Sequence, residues 1–310
     1  MRARATSFLA GVCLAAAATV SMAGSPAHAF GVLSGTTVVR DVPYATVGDV
    51  TLTLDVYAPD QGGPHPAVLV IHGGIWKKGD KSQWEHEGST LAAGGFVAFV
   101  ANYRLDCKVG KPPPGVPPEL CGYHAPAPID DLKSAVEWIR ANAATYGALP
   151  DHVGALGGSA GGNLALMLAT SGVAGQDKPE AVVSWSGNTE LWRYDLAKDP
   201  VSAERNSRRY IGCPYTGNGS CPDQWYAASP ITGVTADDTP SYLANSTRET
   251  IPLQVAQDMD AALAASGVPH FLRVLEGAKH ERQYEDVVVD PNTGTTVFQE
   301  SVAWLHAYLG

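Results

Sequence analysis

Apolar residues in this chain recur in short runs set apart by longer segments of a different period. Val38–Ala45 and Val50–Tyr57 are β-rich and alternate apolar with polar positions, the pattern of an antiparallel pair at a sheet edge. Ala67–Ile71, Phe96–Ala101, His152–Leu156, Ala181–Trp185, Ser241–Ala244 and His270–Leu275 are short and mostly apolar. Runs of that kind predict strands buried on both faces. Between them, Ser82–Ala93, Ile129–Ala144, Ala160–Thr170, Leu253–Ala265 and Ser301–Leu309 carry helical spacing. The alternation predicts βαβ units: an α/β fold with a mainly parallel twisted sheet of about eight strands, flanked by helices on both faces. One sheet running to the C-terminus predicts a single domain over residues 30–310.

Two stretches break the alternation. Cys107–Pro128 is dense in proline and predicts a surface loop. Gly187–Pro230 gathers Trp192, Tyr194, Tyr210, Tyr215, Trp225 and Tyr226. An aromatic insertion after a strand end reads as a short lid over a pocket or as a segment packed on the body.

The first 29 residues read as an address. Arg2 and Arg4 precede an apolar run from Phe8 to Val20, and Ala27-His28-Ala29 supplies small residues for a signal peptidase. This layout predicts a secretory signal cleaved after Ala29, with a run too short for a membrane anchor. The expected mature protein is secreted and begins at Phe30.

Composition narrows the classes further. With 45% hydrophobic and 17% charged residues and no low-complexity tract, the chain is not of the disordered kind. A formal charge of −10 without any basic cluster lacks the footprint of a nucleic-acid binder. Cys13 leaves with the signal, and Cys107, Cys121, Cys213 and Cys221 remain. An even number in an oxidising compartment predicts disulfides. Of three possible pairings we expect the sequence-local one, Cys107–Cys121 and Cys213–Cys221. A metal site is the rival, but no CxxC spacing or nearby histidine pair supports it.

The candidate chemistry begins at Gly157-Gly158-Ser159-Ala160-Gly161, a GxSxG sequence. It directly follows the strand His152–Leu156 and directly precedes the helix Ala160–Thr170, the context of a nucleophile elbow. There the glycines allow close strand–helix approach, and the helix N-terminus aims N–H groups and a positive dipole end near the hydroxyl. Acyl chemistry also needs donors where an oxyanion forms. Gly73 and Gly74, at the end of the third strand, can expose their N–H groups, and Ala160 supplies a second set. His72 reads as a loop-orienting residue. The expected chain order of Ser, acid, His instead points to His280, in a loop beyond the last parallel strand. His270 and His306 read as structural. Trp76 is a weaker substrate-binding candidate. Asp130 and Asp131 read as helix-entry charges, and Arg208 and Arg209 as a solvated pair.

These residues resemble the α/β-hydrolase superfamily, and within it the bacterial feruloyl-esterase and acetyl-esterase-like carboxylesterases. The matching pieces are HGGIWKKGDK (His72–Lys81), NYRL (Asn102–Leu105), IDDLKSAVEWI (Ile129–Ile139), GALGGSAGGNLAL (Gly154–Leu166), Ser229–Pro230, and the tract around Ser241–Leu253 with His280. The resemblance implies hydrolysis of carboxylic esters, small or polymer-attached, through an acyl-enzyme and without a cofactor. It also exposes a departure. Relatives usually carry an aspartate four residues before the proline that is Pro252 here, and this chain has Arg248 at that register. An arginine would repel the imidazolium. The adjacent Glu249 has one more methylene and is nominated as the acid, with Asp237, Asp238 and Asp258 as weaker alternatives. A secreted serine peptidase of the same fold is one alternative function. A catalytically weak binding protein is the other, and Arg248 favours it.

Overall fold

Alternation at the start of the described chain builds the sheet edge. β1 (Thr36–Val47) and β2 (Val50–Pro59) pair antiparallel across a turn at Gly48-Asp49. The computed structural model describes residues 35–215 and 221–310, so the expected signal segment and Cys13 lie outside the described residues. β3 (His65–Ile71), β4 (Val97–Ala101), β5 (Ala148–Gly158), β6 (Ala181–Trp185), β7 (Ser241–Ser246) and β8 (His270–Leu275) complete one eight-stranded sheet. Its order is β1-β2-β4-β3-β5-β6-β7-β8. β2 meets β4 antiparallel, and every later pairing is parallel. A small ribbon of β9 (Val288–Asp290) and β10 (Thr295–Thr296) stands apart.

The continuous apolar strands are explained by two cores. Leu69 and Ile71 of β3 join Leu132 and Val136 of α2 (Ala127–Asn142), Leu164 and Leu168 of α3 (Ala160–Ser171), and Met259 of α6 (Leu253–Ser266). Val68 and Val70, pointing the other way, join Leu91 of α1 (Glu85–Ala93) and Val302 and Leu305 of α7 (Val297–Leu309). Successive side chains face opposite sides of a strand, so a strand covered on both sides loses its alternation.

The insertion after β6 holds α4 (Pro200–Ile211) and α5 (Pro222–Ala227), neither of which the sequence pattern announced. Tyr210 and Trp225 are buried in the α2/α3 core, while Tyr215 and Tyr226 meet through their hydroxyls at 3.1 Å near the surface. The two disulfides are Cys107–Cys121 and Cys213–Cys221.

Two expectations are corrected. Cys107–Pro128 is not simply a surface loop: Cys107, Val116, Leu120 and Cys121 are buried, and α2 already starts at Ala127. A proline in the first helical turn lacks an N–H that would have had no partner there, so Pro128 belongs to the helix. Asp131 is not a helix-entry charge. It is buried and accepts from the Arg104 backbone N–H at 2.9 Å and from Nη2 at 2.6 Å. A carboxylate that deep requires such a partner, which ties the NYRL segment to the IDDL segment.

Candidate active site

Ser159 sits where β5 ends and α3 begins, at φ 53° and ψ −115°. Residues with a side chain rarely adopt that backbone conformation, and surrounding structure must hold them there. Its N–H donates to the Trp185 carbonyl at 2.7 Å, and its carbonyl accepts from the Asn163 N–H at 3.0 Å. A Cβ on Gly157 would stand 2.2 Å from the Gly161 carbonyl oxygen, and one on Gly161 would stand 2.1 Å from that of Ile71. The elbow therefore needs those two glycines for strand, helix and neighbouring strand to approach. Ser159 itself is buried, with only 7% of its surface exposed, at the N-terminal end of α3.

Glu249 follows β7, and its side chain is wholly shielded from solvent. His280 Nδ1 donates to Glu249 Oε2. The other oxygen, Oε1, accepts from the Ser246 N–H at 2.9 Å and from the Tyr284 hydroxyl. Arg248 is exposed, and its N–H donates to the Gly277 carbonyl at 2.8 Å. The register at which the resemblance leads one to expect an aspartate thus faces solvent here, and the next residue turns inward. With Nδ1 committed to the carboxylate, His280 Nε2 is left as the proton acceptor.

The turn carrying His280 is seated on the elbow. Glu281, at φ 44°, donates its N–H to Ser186 Oγ at 2.9 Å. Its Cβ lies 3.0 Å from the place a Gly158 Cβ would occupy, and its carboxylate lies 2.1 Å from the corresponding place at Gly73. One residue after His280 therefore packs between the residue before Ser159 and the glycine loop. Burial raises the Glu281 pKa above the ordinary carboxyl range, against the nearby His280 and Arg282 charges.

The glycine loop is internally braced. His72 Nδ1 donates to the Gly73 carbonyl at 2.8 Å, and its ring stacks on Tyr103 with centroids 4.3 Å apart. Burial lowers the His72 pKa to about 4, so the ring is neutral at physiological pH. Lys77 and Lys78 N–H groups both donate to the Gly74 carbonyl at 3.1 Å. Trp76 is buried and stacks on Tyr210 at 4.3 Å, so it is packed within the loop.

The remaining candidates are engaged elsewhere. His270 Nδ1 donates to the Val268 carbonyl and His306 Nε2 to that of Gly94. Asp238 pairs with Lys178 at 3.2 Å, Asp237 accepts from Thr235 Oγ1, and Asp258 accepts from Gln254. Among the described residues no group of three or more His, Cys, Asp or Glu is arranged to hold a metal. Sequence reasoning missed Tyr284, Ser186 and an ion pair: the buried Glu87 of α1 with the half-buried Arg282 beside the His280 turn. Only the position of Tyr284, four residues past His280, could have drawn the eye.

The BD-FAE family model matches residues 54–263. A relative named a probable carboxylic ester hydrolase, LipM of Mycobacterium tuberculosis, is 28% identical over 231 residues, which cover 70% of this chain and 49% of that protein. The chain thus spans about half the length of that relative. The para-nitrobenzyl esterase of Bacillus subtilis is 35% identical over 130 residues, 40% of this chain and 25% of that protein. Among solved structures, Thermogutta terrifontis esterase 2 phosphonylated by sarin matches with a TM-score of 0.62 at 25% identity, over 80% of this chain and 86% of that one. The acetyl ester-xyloside bifunctional hydrolase from Caldicellulosiruptor lactoaceticus gives 0.67 at 19% identity, over 90% and 100% respectively, a likeness of fold. With these neighbours, the eight-stranded and mainly parallel sheet between two helical layers is an α/β-hydrolase fold.

Proposed function

The chain belongs to the BD-FAE family, and from that premise we propose that it is a serine carboxylesterase with Ser159, His280 and Glu249 as its triad. In this reading the Ser159 hydroxyl attacks the ester carbonyl while its proton passes to His280 Nε2. Negative charge gathers on the former carbonyl oxygen, where N–H groups of Gly73, Gly74 and Ala160 receive it. The bond to the alcohol oxygen then breaks. The alcohol leaves with the proton from His280, and the acyl group stays on Ser159. Water repeats the sequence: it yields a proton to His280 and attacks the acyl carbon. The carboxylic acid departs as Ser159 recovers its proton.

The observation that carries the reading is the His280 Nδ1–Glu249 hydrogen bond on a turn packed against Gly158 of the elbow. A carboxylate at Nδ1 fixes the tautomer that leaves Nε2 basic and stabilises the imidazolium that forms. Arg248 had favoured a catalytically weak scaffold; being exposed, it leaves His280 with an acidic partner. Purified Ser159→Ala tests the proposal. Loss of aryl acetate hydrolysis with unchanged thermal unfolding supports it, as does labelling of Ser159 by an organophosphonate in the wild type. Unchanged turnover in the variant would overturn it.

We also propose that the protein is exported. The charge–apolar–small pattern of residues 1–29 and the two disulfides support this, because such bonds persist in oxidising compartments.

A further inference from the structure

Two segments that leave the same edge of the sheet as Ser159 line an open concavity, and the loop after β3 packs beside them. Trp76 follows β3, Asp106 follows β4, and α4 lies in the segment after β6; β3, β4, β5 and β6 run parallel, so their C-terminal ends share one edge. Ligands in open α/β sheets bind along that edge. The concavity, of about 400 Å³, is lined by Asp106, His124, Arg208 and Arg209, with Gly212–Pro214 at its rim. It is braced on both sides, by Cys107–Cys121 next to Asp106 and by Cys213–Cys221 at the rim.

Its chemistry is lopsided. Asp106 is only 7% exposed, with Arg209 Nε at 3.5 Å and His124 Nδ1 at 3.8 Å. Neither contact is a full hydrogen bond to the carboxylate. His124 Nδ1 is already donating to the Arg209 carbonyl at 2.7 Å. Lys77 acts on the same carboxylate, whose pKa burial nonetheless raises above the ordinary range. Arg208 is exposed and forms no ion pair among the described residues. Two cations, Arg209 and Lys77, therefore act on one acid, and a third, Arg208, lines the same hollow, in a protein whose formal charge is −10. Two arginines in the last turn of α4 also complement its dipole. That effect explains their place on the helix, but not a buried carboxylate and a hollow in front of them.

The hollow is wired to the glycine loop. The Asp106 N–H donates to the Trp76 carbonyl at 2.7 Å, and the Trp76 ring stacks on Tyr210, the residue after Arg209. We propose that this pocket is a subsite for a carboxylate carried by the ester substrate, held by the Arg208 guanidinium with support from Arg209 and Lys77. Guanidinium binds a carboxylate through two parallel N–H donors, which suits Arg208 to the task. The inference rests on the esterase reading and adds the substrate class: esters with an anionic group beyond the reacting carbonyl.

Paired substrates test it. 4-Acetoxybenzoate and its neutral isostere 4-acetoxybenzamide differ in charge and little in shape. The ratio of their kcat/KM values is expected to fall roughly tenfold in Arg208→Gln, the scale of one charge-assisted contact at a partly exposed site. Equilibrium binding of 4-hydroxybenzoate, followed by tryptophan fluorescence, is a readout independent of turnover. Binding that is weakened to the same extent in Arg208→Gln supports the subsite. An unchanged ratio together with unchanged or absent binding overturns it and leaves the esterase reading standing. Hydrolysis of neither ester, with binding intact, sinks the esterase reading instead. Inorganic phosphate displacing 4-hydroxybenzoate as well as benzoate does would reduce the pocket to a general anion site and overturn the substrate assignment.

Discussion

Glu249 and His280 meet through a single carboxylate oxygen, Oε2, while the other oxygen is held by the Ser246 N–H and the Tyr284 hydroxyl. The arrangement answers the one-residue offset from the usual aspartate register. Arg248 takes the solvent-facing position with its N–H on the Gly277 carbonyl, and the longer glutamate reaches back to the imidazole. In the proposed triad, Glu249→Gln keeps the size but loses the charge that stabilises an imidazolium. We expect kcat for an aryl acetate to fall by about ten-thousandfold, the loss seen for the equivalent change in the serine-protease case, with KM little altered. Arg248→Ala should leave kcat within about twofold, as surface changes away from a site usually do. A drop smaller than tenfold in Glu249→Gln would remove Glu249 from the triad.

Tyr284 holds the Glu249 carboxylate in place. Its buried hydroxyl donates to Glu249 Oε1, and it accepts from Ser186 Oγ at 2.8 Å and from the Ser246 N–H at 3.0 Å. Burial, with the Glu249 charge adding to it, raises the phenol pKa well above its ordinary value, so the hydroxyl stays a donor. Tyr284→Phe should lower kcat roughly tenfold with KM unchanged, near the lower end of the ~1.5–3 kcal/mol for a hydrogen bond to a charged group. It should also shift the acidic limb of the kcat–pH profile, because the carboxylate facing His280 changes its hydrogen bonding. A variant less stable to heat but unaltered in kcat and pH profile would confine Tyr284 to packing.

What the sequence made legible was local. The elbow is a contiguous pentapeptide between a strand and a helix, so Ser159 could be placed from its neighbours alone. His280 followed from chain order. Glu249 was legible only as a candidate acid beside a displaced register, because its side-chain direction depends on a loop held by Gly277 and Tyr284. The Glu87–Arg282 pair joins residues 195 positions apart, and no local pattern carries such a contact. α4 is a different case. Asp199 caps it by accepting from the Ser202 N–H, Pro200 opens it and Gly212 closes it, all readable signals. They were outweighed by a polar sequence in which only Ser207, Tyr210 and Ile211 are buried.

His72 sets a dependence of stability on acid. Its pKa, lowered by burial to about 4, lies below the value of about 6.5 expected for an unfolded histidine. The folded state binds the proton less well, so this contribution is complete above about pH 6.5 and is lost as the pH falls from there through 4. The loss is on the order of 3 kcal/mol across that window. Urea unfolding at several pH values should show a shallower acid dependence in His72→Gln than in the wild type. NMR titration of the His72 ring checks the cause directly. A wild-type midpoint near 6.5 would contradict the assignment.

The opposite sign holds behind the His280 turn. Burial, together with the neighbouring Glu87 carboxylate, raises the Glu285 pKa to about 8, and Arg282 opposes the shift. Arg282 is ion-paired with Glu87 and stands 3.4 Å from Glu285, while His86 lies 3.6 Å from Glu285. Two carboxyl groups facing one guanidinium are best served by a single shared proton. Because the folded state holds that proton more tightly than the unfolded chain, the stabilisation is full below about pH 4.5. It is lost as the pH rises through 8. Glu285→Gln imitates the protonated acid permanently. Its thermal midpoint should exceed that of the wild type at pH 8, and the difference should shrink toward zero by pH 4.5. Arg282 is two residues from His280, so the same variant should retain ester hydrolysis to a higher pH than the wild type. Parallel midpoint–pH curves for the two proteins would show that Glu285 is ionised throughout and that Arg282 balances both acids unaided.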